Sequence, residues 1–288
     1  MLKSSLDIIK KNIIGKTAIF LRDKKSLLSI TILLCIVMLS VMADYIAPYH
    51  FNEQDLARRL QPPSMIHVFG TDALGRDIFS RILYAGRVTL LLGVTITILT
   101  SIIGISFGLL SGYVGGLVDL IICKIAEIFW AFPTIVLALA LAAVLGPSVE
   151  NVILVLAILM WVPFTKVTRA KALVLREMPF IKYVKALGLN PFIIIGKHVF
   201  PNLISDIIVL FVLSIPDAML TSAALSFLGL GVQPPTPEWG AMLADGRLYF
   251  TRAPWITIFP GMFLVLTALS LNILGDVLRD LTAPRLRG

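Results

Sequence analysis

Charged residues are scarce in this chain, and their scarcity excludes a water-soluble globular protein. Asp, Glu, Lys and Arg make up only 15% of the 288 residues, whereas 58% are hydrophobic. Soluble domains carry about 25% charged residues and about 45–50% apolar ones. The composition therefore indicates an integral membrane protein.

Cysteine and histidine are equally rare. The two cysteines, Cys35 and Cys123, lie in or beside apolar runs without metal-ligand spacing, and we interpret them as packed thiols. The three histidines, His50, His67 and His198, fall on predicted opposite sides of the membrane, with no nucleophile and base placed together. We therefore expect no catalytic residue, no metal site and no cofactor bound by this chain.

A phosphate-cradling nucleotide loop is also missing. No GxxxxGK[ST] sequence occurs, so the chain cannot hold ATP in the manner of a P-loop protein. The net charge of +8 could indicate a nucleic-acid partner. The basic residues, however, cluster at the ends of apolar runs, which is the pattern of membrane topology, and we expect no nucleic acid.

What the chain has in abundance is apolar runs, and these predict an all-α membrane protein with six transmembrane helices. A basic amphipathic segment, 1–26, is expected to lie on the anionic inner leaflet. A signal peptide is the alternative for this region, but the basic stretch is too long for one. The predicted spans are 27–47, 88–113, 128–145, 151–165, 202–230 and 255–275, with an external loop at 48–87, a five-helix core over 88–275 and a cytoplasmic tail at 276–288.

The distribution of basic residues predicts that both termini are cytoplasmic. This orientation places 18 of the 25 Lys and Arg residues inside and seven outside. The inverted arrangement would reverse the ratio, against the positive-inside rule.

Small residues and proline mark two features of the second and third spans. Gly93, Gly104 and Gly108 lie close to one face of the second span, which predicts close packing against another helix. Pro133 predicts a kink in the third span. The link between these spans, 112–127, is expected to be a near-neutral turn.

Asp217 is a carboxylate near the middle of the fifth span, beside Pro216. Exposing a carboxylate to lipid costs on the order of several kcal/mol, so Asp217 is a functional candidate. Two interpretations stay open. Asp217 lines the transport pathway and contacts cargo, or it faces the bundle interior or an aqueous path and compensates for the carbonyls that Pro216 leaves unpaired.

The most informative polar interval is 176–201, between the fourth and fifth spans. Four apolar residues recur there at helical spacing and are predicted to share one helix face: Phe180, Ile181, Val184 and Leu187. Gly188 offers a helix stop, and Asn190-Pro191 reads as a turn before a second helix. The interval therefore predicts a helical projection on the membrane surface, with a solvated basic loop as the alternative.

The order Ala186, Leu187, Gly188 and then Val199-Phe200-Pro201 resembles the EAA loop of the inner-membrane permeases of binding-protein-dependent ABC importers. In that family the loop forms a coupling helix that sits in a cleft of the ATPase subunit. Here Lys182, Tyr183 and Val184 replace the usual Glu-Ala-Ala, and we expect a carboxylate on the ATPase surface opposite Lys182. The resemblance implies ATPase-coupling roles for Phe180, Ile181, Lys182, Tyr183, Val184, Ala186, Leu187 and Gly188.

Two further stretches, 69–81 and 226–247, resemble sequences of the dipeptide, oligopeptide and nickel subgroup of these permeases. In the first, Asp72 can cap a tight turn, and Asp77 and Arg81 are spaced for a helical ion pair. The second resembles the external loop after the fifth span and is expected to help form an outer vestibule against the binding protein.

The resemblance, which covers about 70 to 282, implies a permease subunit of an ATP-driven importer in the cell inner membrane. Its implied partners are a second homologous permease, two ATPase subunits or domains that bind ATP and Mg²⁺, and an external solute-binding protein. Peptides are favoured as cargo over nickel or metal chelates because they are the commoner cargo. The alternative is a stand-alone ion-coupled secondary transporter, which would need several buried ionisable groups or internal repeats.

Overall fold

The computed structural model describes residues 24–282. Within this part of the chain there are helices and turns but no strand. The helices are α1 Lys24–Val41, α2 Ala43–Ile46, α3 Ile78–Val114, α4 Gly116–Trp130, α5 Thr134–Leu145, α6 Val149–Leu159, α7 Val162–Arg176, α8 Pro179–Ala186, α9 Pro191–Ile194, α10 Ile204–Phe227, α11 Trp239–Arg247 and α12 Trp255–Thr282. The predicted all-α class is confirmed.

Five helical stretches of the described residues are long and apolar enough to cross a membrane. They are Lys24–Val41, Ile78–Val114, Val149–Arg176, Ile204–Phe227 and Trp255–Thr282. The pair α4 and α5 supplies a sixth if it counts as one span, and its two halves are bent by 85°. The bend lies just before Pro133, where the sequence predicts a kink, and it is much sharper than a simple proline kink requires.

Several predicted boundaries differ from the structure. The second span begins at Ile78 rather than 88, because the Asp77 side chain accepts a 2.8 Å hydrogen bond from the Ser80 amide and caps the helix. The stretch 112–127, expected to be a turn, is largely helical as α4, and the last helix continues to Thr282 instead of ending at 275. The first span is α1, which ends at Val41, and the short α2 follows it. Residues 1–23 of the predicted amphipathic segment and 283–288 of the tail lie outside the described residues.

Helix α3 is the longest element, and it packs along α7. Its 37 residues extend about 55 Å, well beyond the roughly 30 Å of bilayer hydrocarbon. Three glycines at four-residue intervals, Gly104, Gly108 and Gly112, form the contact: a Cβ built on Gly108 would lie 2.7 Å from the Thr165 carbonyl oxygen, and one on Gly112 would lie 2.6 Å from that of Arg169. The predicted close packing is confirmed for Gly104 and Gly108, with Gly112 added to the stripe, whereas a Cβ on Gly93 would meet Met219 of α10 instead of α7.

The two motif stretches meet at the amino-terminal end of α3. A cavity of about 460 Å³ lies between the 72–76 turn and α11, so residues far apart in sequence line one space. Helix α11 is fixed against α3 by the buried Trp239, whose indole Nε1–H donates to the Ile82 carbonyl at 3.1 Å, and by Glu238, which accepts from the Thr89 hydroxyl at 3.2 Å.

The predicted ion pair between Asp77 and Arg81 is wrong. The Asp77 carboxylate is already engaged by the Ser80 amide and by His67 Nδ1, at 2.9 Å. Arg81 instead lies 3.7 Å from Asp72 and 4.0 Å from Asp245 of α11. Asp72 caps its turn as predicted, accepting from the Leu74 and Arg76 amides, and it also binds the Arg76 side chain at 2.6 Å.

We expect Gly108→Ala to lower the free energy of unfolding by about 1–3 kcal/mol, because the new methyl group would overlap the α7 backbone. Denaturant unfolding in mild detergent, followed by tryptophan fluorescence, measures the effect. Gly261→Ala in α12 is the matched control, since its Cβ would make only an ordinary 3.4 Å contact with Leu243. Equal stability of the two variants would contradict the glycine-mediated contact.

Candidate functional site

The segment between α7 and α10 folds as a short helix, a glycine turn and a second short helix, as the sequence predicts. Helix α8 begins with Pro179, which suits a first helical position because its missing N–H has no partner to lose. Gly188 stands just beyond the helix end with φ of 76°, a conformation that favours glycine. The Asn190 side chain then accepts a 2.9 Å hydrogen bond from the Phe192 amide and starts α9.

The inner side of α8 is seated on the end of the helix bundle. Ile181 is only 1% exposed and Val184 is half-buried beside it. Ile181 belongs to an apolar cluster drawn from α3, α7, α9 and the start of α10, namely Leu109, Tyr113, Ala172, Ile194, Val199 and Leu203. This cluster fixes α8 against two spanning helices.

The outer side of α8 is apolar and exposed. Phe180, Tyr183 and Leu187 are 44%, 66% and 60% exposed. Of the residues predicted to share one helix face, Ile181 and Val184 are covered, whereas Phe180 and Leu187 are exposed, because a helix that lies on the bundle end buries only one side. Phe192 and Ile193 of α9 extend the exposed apolar area. We call Phe180, Tyr183, Leu187, Phe192 and Ile193 the α8 surface.

Phe192 and Ile193 were not identified as site residues from the sequence. Periodicity describes one helix at a time, whereas these side chains join the surface only because α9 folds back beside α8. The sequence signal for this part of the surface is the large aromatic residue Phe192, directly after Asn190-Pro191.

Polar contacts connect the α8 region to the rest of the bundle. Arg169 of α7 binds Asp119 of α4 through two hydrogen bonds of 2.5 and 2.7 Å, which is the bidentate geometry of strong pairs. Lys171 of α7 lies 3.2 Å from Asp206 at the start of α10. Helix α7 is thus held on both flanks immediately before the chain enters α8.

Lys182 has a partner within its own segment. Its ammonium lies 3.0 Å from the Glu177 carboxylate, and both side chains are exposed. The hydrogen bond from Lys182 lowers the pKa of Glu177 below its usual value. Since both groups are in contact with solvent, the pair contributes little to stability.

Asp217 lies in a different place, on an exposed position of α10. It lines a cavity of about 280 Å³ together with residues of α3, α6 and α7 and of the α4–α5 break. The cavity-lining position places Asp217 beside an open space, and both interpretations of this residue allow such a position.

A family model described as the binding-protein-dependent transport system inner membrane component matches residues 104–288. The chain belongs to this family. A second model, the N-terminal transmembrane domain of oligopeptide transport permease C, matches residues 18–63 of the permease.

Curated relatives cover nearly the whole permease. It is 40% identical to the dipeptide transport system permease protein DppC of Alkalihalophilus pseudofirmus over 92% of this chain and 88% of that protein. It is also 40% identical to the glutathione transport system permease protein GsiD of Pectobacterium atrosepticum, over 93% and 89%. The permease is therefore a multi-pass inner-membrane protein, and the likeness extends beyond the stretch 70–282 on which the sequence motifs lie.

A solved structure has the same fold. The permease resembles a chain of the MetNI methionine ABC transporter in its inward-facing conformations, with a TM-score of 0.56 and 17% identity, over 70% of the permease and 96% of that chain. At this low identity the likeness shows the fold alone.

Burial separates the residues of α8 into two groups that substitution should distinguish. We expect Ile181→Ala to lower the free energy of unfolding by about 2–5 kcal/mol, because it leaves a cavity in the seat of α8. Tyr183→Ala should change it by less than about 0.5 kcal/mol, because that ring is exposed. Denaturant unfolding of the purified variants measures both values, and equal losses would contradict the seating of α8.

Proposed function

We propose that this permease is a transmembrane subunit of an ATP-driven importer and forms half of a translocation pathway for peptides. Two reported relatives are named for a dipeptide and for glutathione, which is itself a short peptide. Nickel or a metal chelate is the less favoured cargo. Among residues 24–282, no group of three or more His, Cys, Asp and Glu side chains is arranged to hold a metal ion.

The α8 surface is the proposed site of coupling to an ATPase. The observation that carries this proposal is the two-sided environment of α8, with Ile181 buried in the bundle and Phe180 and Tyr183 facing outward. Exposed aromatic anchors that fit a pocket supply much of the energy of protein interfaces. The predicted coupling residues divide accordingly: Phe180, Tyr183 and Leu187 contact the partner, whereas Ile181 and Val184 hold the helix in place.

The charge distribution supports a cytoplasmic position for the α8 surface. Seven Lys and Arg residues lie between 166 and 197, around α8. The cytoplasmic side collects 18 of the 25 basic residues when α8 and both termini are placed there. The α11 end, with its cavity of about 460 Å³, then faces outward, where an external binding protein delivers cargo.

ATP drives the cycle through partner subunits. The chain contains no P-loop sequence, so two ATPase subunits or domains bind ATP and Mg²⁺ and hydrolyse the nucleotide. ATP-dependent closure of the ATPase pair moves α8. Because α8 is seated on α3 and continues from α7, that movement turns both spans as a rigid body against a second, homologous permease.

Lys182 occupies the position of the usual acidic residue of the loop. Its ammonium is shared with Glu177, so a carboxylate of the ATPase opposite Lys182 competes with an exposed pair within the chain. The contact therefore adjusts the coupling strength, while the aromatic residues supply most of the binding energy.

The ion-coupled alternative is not retained. Family membership associates the chain with binding-protein-dependent systems. An ion-driven carrier would instead transport peptide without an ATPase, which the following experiment includes as an arm.

The permease, reconstituted in proteoliposomes with its second permease, ATPase subunits and binding protein, should accumulate dialanine only with ATP. We expect the double change Phe180→Ala and Tyr183→Ala to reduce both uptake and binding-protein-stimulated ATP hydrolysis about tenfold or more, as loss of two interface anchors predicts. Uptake of radiolabelled dialanine and phosphate release measure the two activities.

Tyr45→Ala is the matched control, because Tyr45 is an exposed tyrosine of the short helix α2 and does not belong to the α8 surface. It should leave uptake and hydrolysis unchanged. Full activity of the double variant would refute the coupling role, and ATP-independent uptake driven by an ion gradient would refute the importer itself.

The topology is tested separately by thiol labelling, in a background with both natural cysteines replaced by serine. A cysteine at Tyr183 should react with a membrane-impermeant maleimide only after the membrane is opened. A cysteine at Met65, which is fully exposed in the segment between α2 and α3, should react in intact cells. The reverse pattern would place the α8 surface outside the cytoplasm and exclude an ATPase contact.

A further inference from the structure

The cavity that contains Asp217 lies where several spans are interrupted. It is lined by Trp130 at the end of α4, by Thr134 at the start of α5, and by Met160 in the break between α6 and α7. Helix α10, which carries Asp217, also has Pro216 in its interior. Interrupted helices at membrane depth occur where they line a cavity or a pathway rather than where they face lipid.

The helix breaks leave carbonyl oxygens without their usual partners. Pro163 has no N–H, so the Leu159 carbonyl cannot accept an i to i+4 hydrogen bond from it, and Pro216 has the same effect on Val212. Leu159 and Pro163 both line the cavity. The surroundings therefore contain more hydrogen-bond acceptors than an unbroken helix would offer.

Three of the hydroxyl groups in the lining have already used their hydrogens. Thr97 donates to the Gly93 carbonyl at 2.7 Å, Thr100 to that of Ile96 at 3.0 Å, and Ser214 to that of Leu210 at 2.8 Å. Thr97 and Thr100 are buried, whereas Ser214 is partly exposed and can present its oxygen lone pairs to a ligand in the cavity. The Ser214 hydroxyl therefore complements a hydrogen-bond donor, as the Asp217 carboxylate does.

Asp217 is the charged residue of this lining, and the other lining residues are neutral. The Trp130 ring of the lining already holds a cation, because the Lys166 ammonium lies 3.2 Å from its centre. A cation entering the cavity is therefore attracted to the Asp217 carboxylate and to the Ser214 hydroxyl oxygen.

The size of the cavity limits the ligand. Pockets that enclose a whole small molecule measure about 300–1,000 Å³. At about 280 Å³, this cavity lies near the lower end of that range and has room for the ammonium end of a short peptide.

We propose that the cavity around Asp217 is a subsite for a cationic ammonium group of the cargo, and that it holds the amino terminus of a peptide during passage. The inference rests on the proposed function, since it assigns one end of the peptide cargo to one place in the pathway. The Asp217 carboxylate accepts a hydrogen bond from the ammonium, and the Ser214 hydroxyl oxygen accepts a second.

The reconstituted complex tests this subsite with dialanine, whose only ammonium is its amino terminus. Asp217→Asn should lower ATP-dependent uptake about tenfold, as loss of one charge-assisted hydrogen bond predicts. The concentration of peptide-loaded binding protein that gives half-maximal uptake should not change, because the binding protein docks elsewhere on the complex. Glu150→Gln is the matched control: Glu150 is an exposed carboxylate in the first turn of α6, away from the lining of the cavity, and its neutralisation should retain near-normal uptake.

Charge is separated from shape by chemical modification of an Asp217→Cys variant that carries serine in place of Cys35 and Cys123. A methanethiosulfonate with a sulfonate group restores the negative charge and should recover most of the lost uptake. The reagent of similar size with a trimethylammonium group should recover none. Equal effects of the two reagents would overturn the proposal.

Co-purification of the complex distinguishes cargo from a neighbouring subunit. If Asp217→Asn releases the second permease, Asp217 pairs with a cation of that subunit and the subsite does not exist. Wild-type activity of Asp217→Asn would also reject the subsite, yet leave the importer intact. Failure of the wild-type complex to take up dialanine with ATP would instead reject the proposed function.

Discussion

The glycine-lined contact between α3 and α7 is the constraint on which the rest of the molecule depends. Without a side chain at Gly104, Gly108 or Gly112, the two helix backbones approach so closely that a methyl group would overlap the opposite chain. In a bilayer the hydrophobic effect does not drive helices together, so their association depends on the dispersion contacts that close approach provides. The bidentate pair of Arg169 and Asp119 fixes the same helix against α4. A movement of α7 is therefore also a movement of α3.

This rigid pair gives the α8 region its mechanical role in the proposed importer. Helix α8 is seated through Ile181 on the same ends of α3 and α7 that the glycines join. A force applied to the aromatic side chains on its outer surface is therefore transmitted to both spans. At the other end of α3, Trp239 and Glu238 attach α11 to the same helix. The two proposed partners, the ATPase and the binding protein, would thus bind at opposite ends of one continuous helix, α3.

Composition, charge and local spacing were sufficient to predict the all-helical class and the helical form of the 179–194 segment. Hydropathy alone missed the start of α3, because Asp77 begins that helix before the apolar run does. It also missed α4, whose charged Asp119 pairs with Arg169, 50 residues later in the chain. The division of α8 into buried Ile181 and exposed Phe180 depends on where the bundle ends, which periodicity cannot encode. The cavity at Asp217 likewise arises from breaks in separate helices.

The apolar seat of α8 also has a consequence for biogenesis. Val199 and Leu203, which complete the cluster around Ile181, follow α8 in the chain and lead into α10. During synthesis the seat stays unfinished until the ribosome has passed residue 203 and the start of the next span has been delivered to the membrane. A truncated or half-inserted chain consequently lacks a firm base for Phe180 and Tyr183. The order of the sequence thus makes the folding of α8 onto the bundle a late step, which follows synthesis of residue 203.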